Sequence, residues 1–285
     1  MGERCDKMRI SEGFTKYMNF LLIKGASKDH KIHVAAANRT LIEVCGNKEF
    51  AELTLDDISN WYKEMRKDKS ENSCSNYISI LRMILKFLKQ NEVECLDYSL
   101  VPLPKRTPST PDYLTAKEVS KIIASNNNIR TKFIISILYS SGIRVSELIS
   151  LNIGQIKNRQ FTVIGKNRKE RLCFIDSRTE KLMNEYLETR DDSNDSLIVT
   201  RFKTRPSRMA ISQIVKNAVL KAGITGRHIT PHTFRHSFAT NFISNNGGIR
   251  YLSDLLGHSS ISTTAIYTHI VNNDLKMQYS TFHSF

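Results

Sequence analysis

Four of the chain's six prolines, Pro102, Pro104, Pro108 and Pro111, fall in the single stretch VPLPKRTPSTP. Each lacks an N–H donor and holds φ at about −65°, so the stretch opposes both a helix and a central strand. A 285-residue chain interrupted in this way is expected to fold as two bodies. The expected division is an N-terminal domain over 1–100, a semi-extended connector over 101–112 and a second domain over 113–285. A long surface loop is the alternative reading of the prolines.

Before the connector, apolar spacing predicts helices at about 11–24, 31–45, 55–67 and 73–90, with Thr54 as N-cap of the third, which makes a small all-α bundle. In the last of these, Tyr77, Ile80, Leu81, Ile84 and Leu88 keep helical spacing. On the same helix Arg82, Lys86 and Lys89 form a basic stripe, suited to following a phosphate backbone or to serving as an ordinary solvated face. After the connector, helices are expected at about 115–125, 130–140, 144–150, 177–190, 208–222, 232–245, 248–256 and 262–270. The segment RQFTVIGKNRKERLCFI breaks that pattern: β-branched and aromatic residues flank a polar centre, predicting strands near 160–164 and 170–175 with GKNRK at the hairpin tip. The fold class is therefore mainly α, in two domains, with a small antiparallel β-sheet in the second.

Charge narrows the partners. Lys and Arg number 42 against 28 Asp and Glu, a formal net charge of +14. Residues 1–110 carry 18 basic and 15 acidic side chains, residues 111–285 carry 24 and 13, so the excess sits in the second domain. Such a surface invites a polyanion, nucleic acid first and an anionic membrane second. No apolar run approaches the ~18 residues of a membrane helix and the start MGERCDKMRISEG lacks a signal-peptide core, so a cytoplasmic location without membrane partner is expected. The five scattered cysteines form no C-x-x-C pair and read as reduced thiols, not as a metal or redox site.

Cutting a phosphodiester without a metal requires cationic donors for the phosphoryl oxygens, a nucleophile, and an acid for the leaving oxygen. Arginine suits the first task, because its planar fork gives two parallel N–H bonds and keeps its charge. Arg144, in YSSGIRVSELISL, and Arg235, in ITPHTFRHSFATNFI, are the candidates. His232 lies three residues before Arg235 and shares its helix face, with Pro231 at the helix start. His228, His232 and His236 recur every four residues, a spacing that raises zinc, but no H-E-x-x-H, cysteine pair or carboxylate ligand accompanies them. In YLSDLLGHSSISTTAIYTHI, Gly257 reads as a helix C-cap, followed by His258 and, nine residues on, Tyr267. Taken singly each has a plain alternative: a surface or ion-pair arginine, a histidine bonding the last carbonyls of a helix, a tyrosine at the edge of a core.

Taken together and in order, SGIRVSEL, VIGKNRKER, PHTFRHSFAT and LLGHSSISTTAIYTH resemble the tyrosine recombinases of the Xer and phage-integrase type. The likeness spans essentially the whole chain, is strongest over about 112–270 and is only general over the N-terminal helices. It implies a catalytic set of Arg144, Lys166, His232, Arg235, His258 and the nucleophile Tyr267, with Glu147 orienting its neighbours. The hairpin reads GKNRKER where the family more often has a second glycine after the lysine, so Lys169 is the alternative to Lys166 as acid.

The resemblance further implies that the Tyr267 hydroxyl attacks a scissile phosphate to leave a 3′-phosphotyrosyl enzyme and a free 5′-hydroxyl, with His232 as proton acceptor. Two near-isoenergetic transfers need no cofactor, neither ATP nor metal. By the same resemblance, double-stranded DNA is clamped between the two domains and four protomers act on two sites, with the tail at about 272–285 docking on a neighbour. The implied role is Xer-like, the resolution of chromosome or plasmid dimers, with three alternatives. These are an integrase of a phage or mobile element, a type IB topoisomerase using the same catalytic set, and a non-catalytic DNA-binding protein of the same fold.

Overall fold

The computed structural model describes residues 7–104, 112–165 and 169–257, together with Thr264 and Tyr267. The chain divides into two compact units, Met1–Ser109 and Thr110–Phe285, and the division falls inside the proline stretch.

The first unit is a helical bundle of α1 (Ile10–Ile23), α2 (Lys28–Cys45), α3 (Leu55–Asp68) and α4 (Glu71–Gln90), with a short 3-10 turn at Phe50–Glu52 before α3. The helices begin where polar side chains satisfy the first free N–H groups: Ser27 accepts from the His30 N–H and Thr54 from the Asp57 N–H. Each helix turns an apolar stripe inward, and Phe14, Leu41, Phe50, Trp61, Leu81, Ile84 and Leu88 form the core. Trp61 keeps its polar edge satisfied there by donating to the Thr40 hydroxyl at 3.2 Å. Val101 is fully buried in this core, although the prolines place it at the head of the connector.

The basic stripe on α4 meets residues of its own unit. Arg82 donates to the Val101 carbonyl, the Lys86 ammonium lies 5.8 Å from the centre of the Tyr98 ring, and Lys89 pairs with Asp97. The stripe holds the segment 97–101 against the helix.

The second unit runs α5 (Ala116–Ala124), α6 (Ile129–Ser141), α7 (Val145–Ser150), β1 (Gln160–Ile164), β2 (Glu170–Phe174), α8 (Ser177–Glu188), α9 (Arg208–Lys221), α10 (Pro231–Ser244) and α11 (Ile249–Leu256). Helix α6 is apolar on all sides through Phe133, Ile134, Ile135, Ile137 and Leu138, all buried, and α5, α8, α9 and α10 pack around it. The strands pair antiparallel, with Val163 opposite Arg171 and Phe161 opposite Cys173. The period-2 alternation turns these four residues to the buried face. The expected helix at 262–270 lies outside the described residues except at Thr264 and Tyr267. No helix among the described residues is long and apolar enough to cross a membrane.

Candidate active site

Helix α6 ends at Gly142, whose φ of +61° is a left-handed conformation that a side chain resists, and whose missing Cβ leaves room for Phe238: a Cβ there would lie 2.4 Å from that ring. The chain then re-enters a helix at once, with Arg144 at the N-cap of α7. Glu147, on the first turn, reaches back with Oε2 to the Arg144 N–H at 2.7 Å and with Oε1 to the Arg144 guanidinium at 3.0 Å. Both its oxygens also accept from Arg171 on β2, each at 2.7 Å. Burial pushes the Glu147 carboxyl up, but the bonds from Arg171 and Arg144 outweigh it and hold the group below the usual glutamate range. Arg171 has a third partner, donating from Nε to the Leu255 carbonyl near the end of α11. Its side chain also lies under Gly257, where a Cβ would come within 2.8 Å of it. One buried arginine thereby joins the hairpin, the Arg144 turn and the end of α11.

Helix α10 opens on Thr230, which accepts the Thr233 N–H, with Pro231 in the first turn where a missing donor costs nothing. Its buried face carries Arg235, which donates to the Gly142 carbonyl at 2.7 Å and the Leu256 carbonyl at 2.6 Å. Burial, with Arg144 and Arg171 nearby, pulls the Arg235 guanidinium down to about 10, so it is still a cation at neutral pH. His232 lies at the solvent-facing edge. Desolvation, then the charges of Arg235 and Arg144, lower its pKa.

Tyr267 packs its ring into a small cluster with Ala239 and Ile243 of α10 and Leu252 and Leu256 of α11. Its hydroxyl sits 2.6 Å from His236 Nδ1. Burial raises the phenol's pKa and the nearby Arg235 partly offsets that. His236 in turn lies with its ring centre 5.3 Å from that of His232.

Of the residues expected from the sequence, Arg144, Glu147, His232, Arg235 and Tyr267 converge around the start of α7 and the face of α10. Lys166 and His258, the helix beyond Tyr267 and the tail lie outside the described residues, while Lys169, next to the start of β2 at the tip end of the hairpin, is exposed. Among the described residues no three His, Cys, Asp or Glu side chains gather as a metal site. Two residues went unassigned by sequence reasoning. Arg171 had a signal, since strand alternation turns it to the same face as Cys173; His236 had one in its position four residues after His232, read only as a zinc spacing.

Comparison with known proteins accords with this geometry. Residues 112–273 match the phage integrase family. The tyrosine recombinase XerD of Oceanobacillus iheyensis is 35% identical over 235 residues, which is 77% of this chain and 79% of that protein. Among solved structures, XerA recombinase shares 26% identity at a TM-score of 0.55, covering 96% of this chain and 99% of its own. The Tn1549 transposon integrase, in complex with a circular intermediate DNA, superposes at a TM-score of 0.79 with 16% identity, over 95% and 99% of the two chains, a likeness of fold. The chain belongs to the phage integrase family of tyrosine recombinases.

Proposed function

We propose that this chain is a site-specific recombinase that cleaves and rejoins duplex DNA through a 3′-phosphotyrosyl intermediate on Tyr267. The observation that carries the reading is the delivery of the Tyr267 hydroxyl to the face of α10 that also bears Arg235, with Arg144 close by. A phenol is a weak nucleophile at neutral pH and needs positive charge and a proton acceptor beside it, and this face offers both.

In the proposed reaction Arg144 and Arg235, with His258, hold the non-bridging phosphoryl oxygens while the phenolic oxygen bonds to phosphorus. An oxyanion beside Arg235 is a gain for a cation that shares its surroundings with Arg144 and Arg171. The bond to the 5′-oxygen breaks, and that oxygen takes a proton from the hairpin lysine, Lys166, with Lys169 the second candidate. Religation reverses these steps with the 5′-hydroxyl of a partner strand. The phosphotyrosine conserves the bond energy between the two transfers, so nucleotide hydrolysis has no part to play.

The biological task we assign is Xer-like resolution of joined chromosome or plasmid copies, supported by relatives named XerD at 30–35% identity. Double-stranded DNA is the partner, and a tetramer on two sites is the acting assembly. The test is to mix the protein with two duplexes carrying the site it protects in footprinting. Recombinant junctions support the reading, whereas relaxation of supercoils without exchange would indicate a topoisomerase.

A further inference from the structure

We infer that His236 is a further catalytic residue of this chain, whose Nδ1 takes the phenolic proton as Tyr267 attacks phosphorus. The inference rests on the reading of Tyr267 as nucleophile. Its foundation is the 2.6 Å contact between Nδ1 and the phenolic oxygen, the reacting atom itself. His232, one helical turn earlier, is the histidine to which the family resemblance gives that task; the hydrogen bond to the phenol comes from the next turn.

The surroundings suit an acceptor. With the phenol donating, the imidazole is neutral and carries its hydrogen on Nε2. Desolvation, then His232 and Arg235, hold it in that form in the free protein, down to about 4. The groups that face it are His232 and Arg235 on its own helix and Tyr267 from the segment after α11. A bound phosphodiester places negative charge against the Arg235 cation, which favours the imidazolium and makes the ring a better base when the substrate is in place. The ring centres of Tyr267, His236 and His232 follow one another at 5.7 and 5.3 Å, from the buried phenol to the exposed edge of the helix.

The step balances. A lone pair of the phenolic oxygen forms the bond to phosphorus, the O–H bond breaks and its proton passes to Nδ1 of His236. The bond from phosphorus to the 5′-oxygen breaks with its electron pair on that oxygen, which is protonated by the hairpin lysine. In religation the 5′-hydroxyl attacks, and the departing phenolate recovers its proton from His236.

The experiment follows formation of the denaturation-resistant adduct on a nicked target duplex. His236→Leu, which removes the acceptor, is expected to slow adduct formation by ~10²–10⁴-fold, the range of general-base contributions. His236→Asn, which keeps an oxygen near the place of Nδ1 but cannot hold the proton, should fall between. A ring-fluorinated tyrosine at position 267 supplies the readout that a packing role would not move, because a more acidic phenol needs its base less. It should restore much of the His236→Leu or His236→Asn rate while changing the otherwise unaltered protein less, with thermal unfolding confirming that each variant is folded. Adduct formation as fast as or faster than the parent in His236→Leu would show a latch on a resting tyrosine and overturn the inference. A slowed variant that the fluorinated tyrosine does not restore would show packing and overturn it too. Absence of any adduct in the unsubstituted protein, or equal adduct from Tyr267→Phe, would overturn the nucleophile reading, and His236 would fall with it.

Discussion

Arg171 and Glu147 meet through two parallel hydrogen bonds of 2.7 Å, with side chains only 6% and 5% exposed. Removing Arg171 leaves the buried Glu147 with the more exposed Arg144 as its remaining cationic partner, and removing Glu147 strips Arg171 of its carboxylate, whereas the matched pair replaced together loses far less. Arg171→Met is therefore expected to destabilise the second unit by about 3–5 kcal/mol, and Arg171→Met with Glu147→Leu to recover a large part of it. Denaturant unfolding of the two variants checks this; a loss under ~1 kcal/mol for the single substitution would mean the pair is dispensable.

Arg235 offers its two terminal nitrogens in a fixed fork to Gly142 and Leu256, and in the proposed reaction it stands beside the phosphate oxygens. Lysine keeps the charge but not the fork. Arg235→Lys should slow adduct formation by ~10² or more, and Arg144→Ala should do the same, while circular dichroism remains that of the parent. A rate within a few-fold of the parent for both would remove the arginines from the phosphate site.

Stability should fall on mild acidification, and the sign follows from His236. Folding depresses its pKa from 6.5 to about 4, so between those values the unfolded chain binds more protons than the folded one. The folded state is then fully favoured above the ordinary histidine range and loses ground as pH drops through that window, with His232 acting in the same direction. Glu147, held below the usual carboxylate range, adds its loss only at still lower pH. Urea midpoints at about pH 7 and about pH 5 should show the drop, and His236→Asn should flatten it. An equal slope in that variant would place the sensitivity elsewhere.

Much of this was legible in local sequence. The alternation around GKNRK placed both strands within a residue, and Thr54 and Pro231 marked helix starts because caps are set by neighbours in the chain. What escaped was long-range. The spacing of Arg82, Lys86 and Lys89 showed a basic row, but not that Val101, Tyr98 and Asp97 would fold back on it. Arg171 is paired with a carboxylate 24 positions earlier, a contact that no periodicity announces. The bond from Tyr267 to His236 spans 31 positions and depends on how α10, α11 and the following segment pack.

The central claim is that Tyr267 is the group that becomes joined to DNA. Incubating the protein with a nicked duplex bearing its target site, denaturing the mixture and resolving it by electrophoresis measures that bond directly. The expected result is a covalent protein–DNA band that peptide mapping locates at Tyr267 and that disappears in Tyr267→Phe; an adduct formed equally well by Tyr267→Phe would contradict the account.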